Sequence, residues 1–245
     1  MLKPMGVRIL AVVGLWAGPV LASSAATVQI NWGSLAFSTL KDSEGNVLTE
    51  ADFTFALGTF DAAFVPTFDN REDWHTQWQQ FDVAAHNQDD GYFTGIGYLG
   101  DGGKSYEDSS GSISNPGSAD YDFSGNAAYL WVYNQTLFDE PTVEWFLARA
   151  NDWVFPEAPE GCCPNSLPLE WSMSDLDNEA ITPVWGAQSE TDNKVGAGFA
   201  SNPGSHSLQT YSAIPEISAL PAMLAVVLAV GLYRERRHRP VVESA

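Results

Sequence analysis

The sequence predicts a mainly β domain with a sandwich-like, antiparallel arrangement, one amphipathic helix and a C-terminal transmembrane helix. Aromatic and β-branched residues alternate with polar ones along the central region, as in half-buried strands. Turn-forming clusters of Gly, Asn, Asp and Pro separate these runs. Apolar runs stand near both ends of the 245-residue chain. We therefore divide the chain into a signal peptide (1–26), an extracytoplasmic domain (27–200), a tether (201–214) and a tail (215–240) that contains the helix 217–233.

The N-terminal segment has the three parts of a secretory signal peptide. Lys3 and Arg8 precede an apolar run over Ile9–Leu21, and small residues follow it. The run is shorter than the about 20 apolar residues that span a bilayer comfortably. We expect cleavage after Ala22 or Ala26, and a permanent N-terminal anchor is the alternative.

The C-terminal apolar run, Ile217–Tyr233, predicts a membrane helix. Its 17 residues would span roughly 25 Å at about 1.5 Å each, the short end of the range for such helices. Four arginines follow within six residues and should stay cytoplasmic by the positive-inside rule: Arg234, Arg236, Arg237 and Arg239. The region 23–214 is therefore expected outside the cytoplasmic membrane, in the cell envelope or beyond it, and held there at least transiently by this helix.

The end of the chain carries a tripartite pattern. Pro215-Glu216 comes first, then the apolar run and the arginine cluster. This order resembles the PEP-CTERM sorting signal of exported bacterial proteins, although Ile217 stands where the second proline of Pro-Glu-Pro belongs. The resemblance covers about the last 30 residues. It implies that the tail is a sorting device and that an exosortase-type processing enzyme is a partner.

The charge of the region 23–214 limits its partners. It contains 5 Lys and Arg against 28 Asp and Glu, a formal net charge of −23. A surface of this sign repels phosphate backbones, so we expect no nucleic-acid partner. The negative charge is consistent with binding of calcium, with binding of basic partners, or with a role in solubility alone. Asp175, Asp177 and Glu179 superficially resemble a calcium loop, but the glycine and the bidentate Glu of an EF-hand do not follow them.

The two cysteines are adjacent, at Cys162-Cys163. An exported protein meets an oxidising environment, where disulfides form. Neighbouring Cα atoms lie about 3.8 Å apart, below the usual separation of about 4.4–6.8 Å, so a vicinal bridge would be strained. The alternatives are two free thiols or a bridge to another chain. We expect no metal role, because no second Cys or His pair is close in sequence.

Four segments show the alternation that predicts strands. They begin at Val28, Phe53, Tyr129 and Val143, and each places apolar residues at every second position. Gly95 and Gly97 indicate a strand with close backbone packing. The polar stretch 100–124 predicts a long surface loop.

One segment has helical spacing instead. From Asp69 to Ala85, Trp74, Trp78 and Phe81 fall on one face of a helix. The acidic residues at its start would suit the positive end of the helix dipole. This pattern predicts a single amphipathic helix over about 69–85 that covers an edge of the sheet.

No motif in the region 23–214 predicts a reaction. His75, His86 and His206 lack a zinc-binding spacing, and the chain contains no serine elbow or phosphate loop. We expect these histidines to be exposed or satisfied, and we predict no catalytic residue. Paired carboxylates could still be assembled in space by the fold.

Tryptophan is the most unusual part of the composition, with eight in the region 23–214. Such rings are usually core, but exposed ones form stacking platforms for sugars. We call this the platform hypothesis, and the four residues proposed for such a platform are Trp145, Trp153, Trp171 and Trp185. Three classes of function follow: a non-enzymatic envelope or matrix protein, a carbohydrate-binding module acting on secreted polysaccharide, and a secreted hydrolase.

Overall fold

The computed structural model of the protein describes residues 27–106, 120–139, 142–157, 167–188, 191–193 and 207–214. Strands dominate these regions. They are β1 (Val28–Gly33), β2 (Leu40–Lys41), β3 (Thr54–Phe60), β4 (Trp78–Val83), β5 (Ala85–Asn87), β6 (Tyr92–Leu99), β7 (Ser105–Tyr106), β8 (Tyr129–Tyr133), β9 (Glu144–Ala148), β10 (Leu169–Ser172), β11 (Gly186–Gln188), β12 (Thr191–Asn193), β13 (Leu208–Gln209) and β14 (Tyr211–Ser212). The helices are short: 3₁₀ turns at Phe68–Asp73 and Asp101–Gly103, and α-helices α1 (Trp74–Gln77) and α2 (Met173–Asn178).

The strands form three sheets. Sheet A has the order β10-β1-β6-β5, with β7 also paired to β6. Sheet B has the order β12-β11-β13-β2, and sheet C has the order β14-β9-β8-β3-β4. The mainly β prediction is confirmed. The pairing is antiparallel except at two places, β1 with β10 and β13 with β2, which the prediction of an antiparallel domain did not include.

Sheets A and C share the larger of two hydrophobic clusters. In β1, buried Val28, Ile30 and Trp32 alternate with half-buried residues, as the period of two predicts. The same cluster contains buried side chains from sheet C: Phe55, Leu57, Leu130, Val132, Phe146 and Ala148. Burial of these apolar faces is the main contribution to stability in such a domain.

The second cluster involves the alternate residues of the same sheet C strands. Trp131 and Trp145 of β8 and β9 pack edge to face, with ring centroids 5.3 Å apart. Trp74 of α1 stacks on Trp145 at 5.4 Å, and Trp185 and Tyr211 are also fully buried in this cluster. The central strands of sheet C are therefore buried on both faces, which is why β8 reads as a nearly continuous apolar run.

The predicted helix over 69–85 is wrong beyond its first turns. The structure has a 3₁₀ turn and α1 as far as Gln77, and then strand β4 from Trp78. Trp78 and Phe81 share a helical face in sequence, but β4 pairs with β3 over five residue pairs, from Ala56↔Val83 to Phe60↔Trp78. These ladder hydrogen bonds and the burial of Phe81 decide the conformation, because pairing in the fold outweighs local periodicity.

Aromatic rings lie over glycines at three places in the sheets. The prediction that Gly95 and Gly97 belong to a strand with close packing is confirmed by β6. A Cβ on Gly95 would meet the Trp32 indole, and one on Gly97 would meet the Phe81 ring. Gly58 of β3 leaves room for the Trp78 ring in the same way, at the register shift between β3 and β4. Glycine lets each ring approach the backbone of another strand. For Trp32 and Trp78 this is the paired strand, and for Phe81 it is a strand of the other sheet.

The region 207–214 belongs to the folded domain, although the prediction placed it in the tether 201–214, so the domain extends beyond the predicted boundary at residue 200. Leu208 of β13 and Tyr211 of β14 are fully buried. β13 lies between β11 and β2 in sheet B, and β14 pairs with β9 in sheet C. The polar composition of this region misled the prediction, because short strands inserted between others need few apolar residues.

Several predicted features lie outside the described residues: the signal peptide, the cysteine pair, the C-terminal run 217–233, and most of the predicted surface loop over 100–124. Within the described part, no helix is long and apolar enough to cross a membrane.

Candidate functional site

All four tryptophans proposed as sugar-stacking residues are in the core, so the platform hypothesis is wrong for them. Trp145 and Trp185 have no exposed surface, Trp153 is 2% exposed and Trp171 is 7% exposed. Three of their indole N–H groups donate to protein acceptors: Trp145 to the Gln135 carbonyl, Trp153 to the Asp175 carboxylate, and Trp185 to the Tyr211 carbonyl. A sugar cannot reach the faces of rings that are covered in this way.

The three acidic residues that superficially resemble a calcium loop accept hydrogen bonds from the protein itself. Asp175 accepts a hydrogen bond from the Ser172 amide at the start of α2, as in a capping box. Asp177 accepts from the Gln188 side chain, and Glu179 accepts from the Asn151 amide. Among the described residues, no group of three or more His, Cys, Asp or Glu side chains is placed to hold a metal ion.

The sorting residues and the cysteines cannot be placed. Pro215, Glu216 and the arginines of the tail all follow the last described residue, Ile214. Cys162 and Cys163 fall in the gap between residues 157 and 167. The predictions for them stay predictions.

A groove of about 280 Å³ lies beside Gly33, where β1 and β10 end. Two of its polar side chains, Asn31 and Glu170, are already hydrogen-bonded within the protein. The Asn31 side chain accepts from Gln29 at 2.7 Å and donates to the Glu170 carboxylate at 2.7 Å. A ligand here would have to replace these bonds rather than satisfy free groups, which lowers the gain from binding.

A second cleft of about 230 Å³ lies between the end of β3 and the residues that flank β8 and β9. It combines one cation with polar and aromatic groups: Arg149, Asp61, Asn126, Thr59, Phe64 and Tyr129. The Arg149 guanidinium lies 5.5 Å from the centre of the Tyr129 ring, a cation–π distance. Burial raises the pKa of Tyr129, and the positive charge of Arg149 opposes that shift.

The sequence prediction missed this cleft. Asp61, Asn126 and Arg149 are far apart in the chain and belong to no motif. The only signal in the sequence was the scarcity of cations. In a domain with so few Lys and Arg, each of them is a stronger candidate for binding an anion. Arg149 follows directly on the alternating apolar run of β9, which places it at the end of a strand.

Two titratable groups are buried in the core. Asp82 has no exposed surface and accepts a hydrogen bond from the Trp32 indole at 2.7 Å. His86 is 7% exposed, contacts the Phe55 ring, and has no hydrogen-bond partner for either ring nitrogen among the described residues. The expectation of an exposed or satisfied histidine is therefore wrong for His86. Burial lowers the pKa of His86 below its ordinary value, and the nearby charge of Glu50 opposes this shift.

We predict that His86 makes the domain sensitive to mild acid. Because its pKa is lower in the folded state, the unfolded state binds more protons once the pH falls below about 6.5. The contribution is fully present above that pH and is lost as the pH falls towards the folded pKa. Urea unfolding at pH 8, 7, 6 and 5 should show the native protein losing stability relative to His86→Phe, which keeps an aromatic ring beside Phe55. Parallel curves for the two proteins would contradict the prediction.

Comparison with known proteins adds no family. The chain matches no family model, and neither a curated protein nor a solved structure matches it.

Proposed function

We infer that this chain is an exported cell-envelope protein whose acidic β domain is displayed outside the cytoplasmic membrane and works without catalysis. One observation supports this most. Buried residues of a folded β domain extend from Val28 to Ala213, and therefore occupy the interval between the two apolar runs, 9–21 and 217–233. A domain between a leader and a sorting tail is the arrangement that the PEP-CTERM resemblance implies.

The shape and surface of the domain suit a structural role in the envelope. We propose that sheets A and C form a sandwich-like scaffold, since they share one hydrophobic cluster. The surrounding charge is strongly negative, which favours solubility and repulsion between copies at a crowded surface. The tail, through Pro215-Glu216 and the arginine cluster, would be read by an exosortase-type enzyme while the apolar run holds the chain in the membrane.

Carbohydrate binding is the second candidate function, and a different observation favours it. The buried tryptophans cannot perform it, but the cleft at Arg149 offers aromatic, amide and charged groups together. Such a mixture is typical of sites that hold a polar ring-shaped ligand.

The first test of the envelope role is the N-terminus of the mature protein. We expect mass spectrometry of protein from the native host to find a start between Ser23 and Val28, because the signal peptide should be removed on export. Recovery of Met1 in most molecules would contradict export by this route. A variant with the four tail arginines replaced by glutamine should keep the same N-terminus but lose retention in the membrane fraction.

A further inference from the structure

Arg149 differs from the other arginine whose side chain the structure describes. The Arg71 guanidinium donates to the Ala213 and Phe68 carbonyls and lies over the Phe68 ring. Arg149 contacts the Tyr129 ring, and no described carboxylate or carbonyl accepts a hydrogen bond from it. It is half-buried and lines the cleft. A guanidinium has five N–H donors in a planar fork that matches a carboxylate, so Arg149 is available for an anionic ligand.

The rest of the cleft defines what else the ligand must carry. Asp61, opposite in charge to Arg149, is held by a hydrogen bond from the Gln79 side chain at 2.9 Å. A carboxylate accepts hydrogen bonds from hydroxyl groups. The Asn126 amide is fixed by its bond to the Asp122 carbonyl at 3.0 Å. Phe64 and the exposed Val65 provide an apolar wall. The ligand therefore needs one negative end, hydroxyl groups and an apolar face.

Size and charge narrow the class further. The cleft, at about 230 Å³, is smaller than the about 300–1,000 Å³ of sites for drug-sized ligands, so it suits one sugar-sized unit. The cleft contains one cation, Arg149, and also the Asp61 carboxylate, in a region of net charge −23. This balance favours a ligand with one carboxylate over a phosphate with two charges.

We propose that the cleft at Arg149 binds a hexuronate unit, a pyranose ring whose carboxylate pairs with the Arg149 guanidinium while its hydroxyls meet Asp61 and Asn126. This proposal rests on the second candidate function, carbohydrate binding, and names the class of sugar that would bind. It is independent of the envelope role, so failure of one does not decide the other.

Saturation-transfer NMR on the full-length protein in detergent micelles tests the proposal. The probes are methyl glucuronide and methyl glucoside, which differ only in the carboxylate. We expect saturable transfer to the glucuronide and binding at least about ten-fold weaker for the glucoside, because a charge-assisted bidentate pair is lost. Arg149→Gln should weaken glucuronide binding by about ten-fold or more. Lys41→Gln, which removes the same charge outside the cleft, should leave binding within about two-fold.

Arg149→Lys keeps the charge and loses the fork, so its affinity should fall between those of the native protein and Arg149→Gln. This variant also protects the test if Arg149→Gln does not fold. Equal binding of the two sugars, native affinity in both Arg149 variants, or an equal loss in Lys41→Gln would overturn the proposal. A glucuronate tetramer identifies the source of the unit. Binding as tight as that of the monosaccharide indicates units within a polymer, and much weaker binding indicates the free sugar; both support a hexuronate site.

Discussion

A chain that ends at residue 206 should fail to fold, whereas one that ends at residue 214 should unfold cooperatively. The missing eight residues include fully buried Leu208, Tyr211 and Ala213. Burial of a large apolar side chain stabilises a protein by roughly 1.5–3 kcal/mol, and the pairing of β13 and β14 is lost as well. The total approaches the about 5–15 kcal/mol by which whole domains are stable.

Several hydrogen bonds connect this segment to other parts of the domain, so its removal should destabilise those parts as well. The Thr210 hydroxyl donates to the Glu144 carboxylate at 2.6 Å, and the Gln209 side chain donates to the Asp42 carbonyl at 3.0 Å. The Trp185 indole would lose its acceptor, the Tyr211 carbonyl.

The comparison is between the fragments 27–206 and 27–214, followed by tryptophan fluorescence in urea. A double variant of the longer fragment, Leu208→Ser with Tyr211→Ser, should behave like the shorter one. Equal unfolding midpoints for the two fragments would show that the segment is dispensable.

Replacement of Trp145 by alanine should destabilise the domain by about 3–5 kcal/mol, the cost of removing a large aromatic side chain from a core. Its ring stacks on Trp74 and meets Trp131 edge to face, so a cavity would open at the centre of the second cluster. The indole also donates to the Gln135 carbonyl at 2.6 Å. Trp145→Phe should cost less, because the ring is kept and only part of the volume is lost.

Urea denaturation gives the free energies for this comparison. Leu167→Ala is the matched control, since Leu167 is 84% exposed and surface substitutions usually change stability by no more than about 0.5 kcal/mol. A loss below about 1 kcal/mol for Trp145→Ala would contradict the buried role.

The strands with strict alternation could be predicted from the sequence because their environment is simple. In β1, Val28, Ile30 and Trp32 face one core, so the alternation of apolar residues in the sequence matches the alternation of buried residues in the strand. The same reasoning failed for Trp78 and Phe81, whose spacing fits a helix equally well. Their partner, β3, lies about 20 positions earlier in the chain, and no local pattern reveals which distant segment will pair.

Local sequence pattern also cannot predict whether a tryptophan is exposed or buried. Trp145 is covered by Trp74, which arrives from a different part of the chain. The cleft was hidden for the same reason. Asp61, Asn126 and Arg149 become neighbours only when β3, β8 and β9 form one sheet. A site of this kind has no signature along the chain.

The rings that lie over glycines have a consequence for how this domain can change through evolution. Gly97 leaves no space for even a methyl group while Phe81 remains, and Gly95 is limited by Trp32 in the same way. Each pair behaves as one unit, since a larger residue at the glycine requires a smaller one at the aromatic position. Divergent relatives should therefore retain or exchange these residues in pairs. Such paired changes would identify them where overall sequence similarity has disappeared.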